Sequence, residues 1–308
     1  VGHNGRVLYA EGSHLFKDHM EHLSSKNDRI TEAVVVAENS DVVILCVGLD
    51  ETLEGEEGDT GNSYASGDKR DLHLPQCQRD LMDAVLGTGK PVIVCLMAGS
   101  AIDLSVADEK AAAVLQLWYP GARGGRAVAD ILFGDCSPSG KLPVTFYRDL
   151  AGMPAFEDYR MEGRTYRYMT GEALYPFGYG LTYGNVSVKG ARITGRDAAT
   201  REVTLQADVI NRGSVETKDV VQVYVKDPGS GYAVPNHNLC AFLKVSLQPA
   251  EEKCIGFTIS GDAFGTVNEN GERVRDGSRY ILYVGCGQPD KRTEALTGNP
   301  CVRVDVEF

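Results

Sequence analysis

The chain has 308 residues, 43% of them hydrophobic and 24% charged, a balance that excludes a disordered tail and leaves room for about two domains. Its formal net charge of -12 argues against a nucleic-acid partner or an anionic membrane surface, since both select basic faces. No apolar run reaches the ~18 residues of a bilayer span. The start, Val1-Gly2-His3-Asn4-Gly5, has no basic region leading into an apolar stretch, so no signal peptide is read there. The eight cysteines are scattered without a C-x-x-C pair, and Cys46 and Cys95 sit inside apolar runs. They are read as reduced, structural thiols in a cytoplasmic setting rather than as a disulfide framework or zinc site.

Asn27 to Ser40 places Ile30, Ala33, Val34 and Ala37 at helical spacing, and the apolar run Val42 to Val47 follows as a strand. Pro75 opens a second helix with Cys77, Leu81, Ala84 and Val85 on one face and Gly87 and Gly89 as its stop. Val92 to Met97 is again fully apolar, Val114 to Trp118 is a third candidate strand, and a Gly-rich turn leads into a helix around Arg126 to Phe133. Strands apolar on both faces, alternating with amphipathic helices, predict an α/β domain over residues 1–155: an open, mostly parallel sheet flanked by helices.

After residue 183 the period becomes two. Val203, Leu205, Ala207 and Val209 alternate with polar residues, as do Val221, Val223 and Val225. Leu243 to Leu247, Ile255 to Ile259, Tyr280 to Val284 and Val302 to Val306 are further strands, separated by the turn signals Asn211-Arg212-Gly213, Asp227-Pro228-Gly229 and Asn270-Gly271. This predicts an antiparallel β-sandwich over 183–308, joined through an ordered, aromatic-rich connector at 156–182.

The densest chemistry follows the first strand. From Asp50 to Asp59, six of ten residues are carboxylates and none is basic. In open α/β sheets, ligands bind beyond the carboxyl ends of the strands, where this loop emerges. Crowded carboxylates raise one another's pKa, and a protonated carboxyl at neutral pH can act as a general acid. The plain alternative is a solvated loop; calcium is a third reading, but the EF-hand spacing is absent. Trp118-Tyr119-Pro120 reads as an apolar platform for a sugar ring or as core. His14, His19 and His22 lack matching ligands and read as exposed histidines rather than a metal site. Gly121 to Gly125 lacks the phosphate-loop spacing, and Ser100 lacks the G-x-S-x-G context of a nucleophile. No cofactor is called for.

Several strings together resemble the carboxyl-terminal part of glycoside hydrolase family 3. They are Val47-Gly48-Leu49-Asp50-Glu51-Thr52-Leu53-Glu54-Gly55-Glu56, Leu72-His73-Leu74-Pro75 with Gln78, Trp118-Tyr119-Pro120-Gly121, Ala129 to Gly134, and Gly140-Lys141-Leu142-Pro143-Val144-Thr145-Phe146. The connector strings Gly163 to Tyr168 and Leu174 to Leu181 belong to the same pattern. The last part, through Asn211-Arg212-Gly213, Val220 to Pro228 and Leu282 to Gly285, is similar to a fibronectin type III-like domain.

The resemblance implies retaining β-glucosidase or, next, β-xylosidase chemistry on terminal β-linked sugars, with two carboxyl groups about 5–5.5 Å apart. In that family the nucleophile is an Asp, usually before a Trp, on an amino-terminal barrel, and the acid/base Glu comes from the loop matching the acidic loop here. Its place in the string favours Glu54, followed by Glu56 and Glu57. Asp50, Asp59, Trp118 and Tyr119 are the implied substrate-binding residues. The only Trp follows Leu117 and Lys17 is followed by Asp18, so neither the Asp-Trp motif nor the barrel's Lys-His pair is present. The resemblance therefore implies a barrel, on the same polypeptide or on a partner chain, as the source of the nucleophile, and a chain inactive by itself. A non-catalytic glycan- or partner-binding module is the alternative. Homo-oligomerisation is left open.

Overall fold

The computed structural model describes residues 5–19, 21–55, 69–155 and 157–308. The chain forms two compact units: Val1–Val128 with Tyr147–Leu150, and Ala129–Phe146 with Ala151–Phe308.

In the first unit, α1 (Ile30–Glu38), β1 (Val43–Gly48), α2 (Gln76–Leu86), β2 (Val92–Met97), α3 (Ser105–Lys110) and β3 (Ala113–Gln116) alternate, and α4 (Gly124–Leu132) follows. The three strands form a parallel sheet in the order β1-β2-β3, with Cys46 level with Cys95 and Gly48 with Met97. The apolar runs are strands because β-branched side chains suit the pleat and helices cover them. Val92, Val94 and Leu96 of β2 are sealed, as are Leu81, Met82 and Val85 of α2, which packs on α1. Pro75 caps α2, where its missing N–H costs nothing. At β1, by contrast, Ile44 is 47% exposed, so burial on both faces, predicted from its apolar run, is not reached there among the described residues. The third strand ends at Gln116 rather than Trp118, because Trp118 turns into the left-handed region (φ 56°).

The second unit takes in the end of α4 and the segment to Phe146, then the short α5 (Thr165–Tyr168), and from there is mostly β. Strands β4 (Val186–Arg196), β5 (Val203–Asn211) and β8 (Glu252–Ile259) form one antiparallel sheet in the order β4-β5-β8. The other sheet runs β12-β11-β6-β7, from β6 (Thr217–Lys226), β7 (Asn238–Leu247), β11 (Arg279–Gly285) and β12 (Val302–Glu307). A two-stranded ribbon, β9 (Thr266–Val267) with β10 (Arg273–Val274), and a helix α6 (Lys291–Thr297) lie between β8 and β12. The period-two residues Val203, Leu205, Ala207 and Val209 face Val221, Val223, Leu282 and Val284 in one core. Each such side chain contributes about 1.5–3 kcal/mol by leaving water. Strand β4 was not anticipated, because register shifts after Val188 and Ile193 break its alternation. The Gly140-Lys141 string holds a buried ion pair: Lys141 Nζ lies 2.7 Å from Asp219 and donates to the Gly180 carbonyl at 2.6 Å. All eight cysteines are free thiols.

His237 is buried in this unit, and burial pushes its pKa down to about 4 from 6.5. The unfolded chain therefore binds the extra proton first as pH falls. Stability from the neutral imidazole is complete above 6.5 and is lost down to about 4, on the order of 3 kcal/mol in all. Urea unfolding of this unit at pH 7 and pH 4 should show that loss beyond the carboxylate background, and His237→Gln should remove the difference.

Candidate active site

The loops that leave the three parallel strands converge on Glu54. After β1 the chain turns sharply: Asp50 Oδ1 accepts from the Thr52 amide at 2.9 Å and hydroxyl at 2.7 Å, and the Asp50 carbonyl accepts from the Glu54 amide at 2.9 Å. Leu53 is buried beneath this turn, which directs the Glu54 side chain inward until only 10% of it is exposed. From the loop after β2, the Gly99 amide donates to Glu54 Oε2 at 2.6 Å and the Ser100 hydroxyl donates to Oε1. From beyond β3, the Tyr119 hydroxyl donates to Oε2. Lys69 Nζ stands 3.7 Å from Oε1 and donates to the Ala101 carbonyl at 3.1 Å.

Two glycines make this approach feasible. A Cβ on Gly48 would fall 1.9 Å from the Met97 carbonyl oxygen, and one on Gly99 would fall 2.9 Å from the Tyr119 ring. The left-handed Trp118 just before Tyr119 stores backbone strain of order 1–3 kcal/mol where the tyrosine must swing toward Glu54.

The electrostatics follow from these contacts. Burial raises the Glu54 pKa, but the Ser100, Tyr119 and Gly99 donors and the Lys69 charge outweigh it, so the net shift is downward. Burial, then the Glu54 carboxylate, pushes the Tyr119 phenol far up, so it stays protonated and donates. Burial lowers Lys69, against the pull of Glu54 and Asp71. The centre is thus a fixed carboxylate in a ring of donors.

Of the residues singled out from sequence, Glu54 and Tyr119 meet directly. Asp50 shapes the turn, and Trp118 is half-buried one residue from the contact. Glu56, Glu57 and Asp59 lie outside the described residues. Sequence reasoning missed Lys69, Gly99 and Ser100 as partners of the loop; the usable signal was that Ala98-Gly99-Ser100 directly follows a buried parallel strand, the position where such sheets place ligand groups. Among the described residues no group of three His, Cys, Asp or Glu could hold a metal ion. His14 Nδ1 accepts from the amides of Phe16 and Lys17, and His19 Nδ1 lies 2.6 Å from Asp18.

Gln78 of α2 fixes the start of the acidic loop. Its amide oxygen accepts from the Gly48 amide at 2.7 Å, while its nitrogen donates to the Gly48 carbonyl at 2.7 Å and to the Leu15 carbonyl at 2.6 Å. Gln78→Leu should destabilise the first unit by about 3 kcal/mol, since unpaired buried groups cost roughly 1–3 kcal/mol each. Trp118, the only tryptophan, lies in this unit and reports its unfolding by fluorescence.

A parallel α/β unit with a carboxylate held beyond its strand ends, followed by a seven-stranded β-sandwich, is the layout of the carboxyl-terminal part of a class of sugar hydrolases. The glycosyl hydrolase family 3 C-terminal domain matches residues 6–183 and a fibronectin type III-like domain matches residues 219–288, and the chain belongs to glycoside hydrolase family 3. It is 36% identical over 274 residues to a xylan 1,4-β-xylosidase of Xylanibacter ruminicola, covering 86% of this chain and 31% of that protein. It is 32% identical over 314 residues to a periplasmic β-glucosidase of Salmonella typhimurium, covering 92% of this chain and 40% of that protein. Among solved structures, a β-glucosidase from Erythrobacter marinus superposes with a TM-score of 0.79 at 27% identity, over 99% of this chain and 41% of that one. The chain spans about three-tenths to two-fifths of the length of these relatives.

Proposed function

We propose that this chain is the carboxyl-terminal portion of a retaining β-glycosidase acting on terminal β-glucosides or β-xylosides, with its acidic loop as the source of the acid/base carboxyl. The observation that carries this reading is the convergence of three strand-end loops on Glu54, beside family relatives named β-glucosidase and β-xylosidase. In such chemistry a barrel Asp attacks the anomeric carbon while a protonated carboxyl gives its proton to the departing oxygen; the same carboxyl then takes a proton from water as the glycosyl-enzyme is hydrolysed.

Glu54 suits a different part of that scheme. A general acid is served by a raised pKa, whereas the Ser100, Tyr119 and Gly99 donors and the Lys69 charge outweigh burial and shift Glu54 downward. We assign it the anchoring of the loop, and assign proton transfer to Glu56, the next carboxylate beyond the anchor, with Glu57 beside it. The test joins or mixes this chain with a family barrel bearing the Asp nucleophile and assays aryl β-glucosides and β-xylosides. Hydrolysis is expected only when both parts are present. Equal hydrolysis by the barrel without this chain would overturn the proposal.

A further inference from the structure

The second unit contains a cavity of about 510 Å³, a size ordinary for small-molecule sites, between the connector, the end of β6, the start of β7 and the segment leading into α6. Three side chains on its walls, His237, Gln288 and Thr145, are each more than nine-tenths buried. Each carries a polar atom without a hydrogen-bond partner: His237 Nε2, Gln288 Oε1 and Thr145 Oγ1. Buried polar atoms are nearly always paired, so three orphans around one cavity are an unusual concentration.

Their chemistry limits what can satisfy them. The wall thus offers an imidazole nitrogen at His237, an amide oxygen at Gln288 and a hydroxyl at Thr145. An anion would be repelled by the amide oxygen, and a cation would leave the Thr145 proton without an acceptor. A hydroxyl both donates and accepts and matches all three. The charges on the wall also oppose one another, Lys226, Lys291 and Arg292 against Glu172 and Asp290, and the half-buried Tyr283 adds an aromatic surface for the C–H face of a ring.

We infer that this cavity is a second carbohydrate site, one that binds the vicinal hydroxyls of a neutral sugar through His237, Gln288 and Thr145 without hydrolysing it. Its lining comes from the second unit, and its occupancy does not depend on the proposed catalysis.

The test titrates the isotopically labelled 308-residue chain with cellobiose, with xylobiose and with inorganic phosphate, following the His237 imidazole and Gln288 amide resonances. Saturable shifts with a disaccharide and none with phosphate are expected. Thr145→Val, which keeps the side-chain shape, and Gln288→Leu should each weaken binding about tenfold, while Glu54→Gln leaves it unchanged. The inference is overturned by an absence of saturable shifts with either sugar. It is equally overturned by saturation with phosphate alone, or by unaltered affinity in folded Thr145→Val.

Discussion

Replacing Glu56 by Gln in the barrel-joined protein is expected to slow hydrolysis of unactivated β-glycosides by about 10²–10⁴, the usual worth of a positioned general acid, while an aryl glycoside with a good leaving group stays within about tenfold of wild type. The split arises because a leaving group that departs as a stable anion needs no proton. Glu54→Gln should behave differently. It removes a charge that four groups from three loops hold in place, so both substrate types should lose rate together, with no added sensitivity to the leaving group. The comparison is a plot of log kcat/KM against leaving-group pKa for wild type and both variants. A steep slope for Glu54→Gln beside a flat one for Glu56→Gln would return the acid role to Glu54.

The largest stability loss is expected at Asn211. This side chain is fully buried where β5 ends. Its oxygen accepts from the Asn185 amide at 3.1 Å and the Gly213 amide at 2.9 Å, and its nitrogen donates to the carbonyls of Val215 at 2.8 Å and Gln248 at 3.2 Å. Asn211→Ala leaves the Asn185 and Gly213 amides and the Val215 carbonyl unpaired around a small void, while the Gln248 carbonyl keeps the Glu251 amide. At roughly 1–3 kcal/mol for each that water cannot reach, the β-sandwich should lose about 4 kcal/mol or more, a large part of the stability of an ordinary domain. Urea unfolding followed by tyrosine fluorescence, set against the Trp118 transition of the other unit, checks this. A shift below about 1 kcal/mol would mean that the turn closes without the asparagine.

The Asn211-Arg212-Gly213 string was legible as a turn because Asn and Gly are turn formers, but nothing in it announces that the asparagine ties together three separate segments. The same divide runs through the molecule. Strands β1 and β2 were legible because continuous apolar runs of six residues leave few alternatives, and β5 because its alternation is unbroken. The short helices α3 and α6, of six and seven residues, have too few turns to set a period. At the candidate site the acidic loop stood out by charge, but the state of Glu54 depends on donors 45 and 65 residues away in sequence, Gly99 and Tyr119. No local spacing carries that information. A string can mark where a carboxylate lies, whereas its protonation is a property of what folds around it.

The pairing of β1 gives Gln78 a larger meaning. The amides of Val43 and Leu49 both point toward β2, so the backbone groups of Ile44, Cys46 and Gly48 point the other way, off the edge of the sheet. At Gly48, and there on both its N–H and its C=O, the primary amide of Gln78 takes the place a neighbouring peptide would hold. One side chain from a helix thus serves as a single-residue surrogate strand. The backbone at which the acidic loop begins is thus fixed from inside this unit, by a helix side chain rather than by a neighbouring strand.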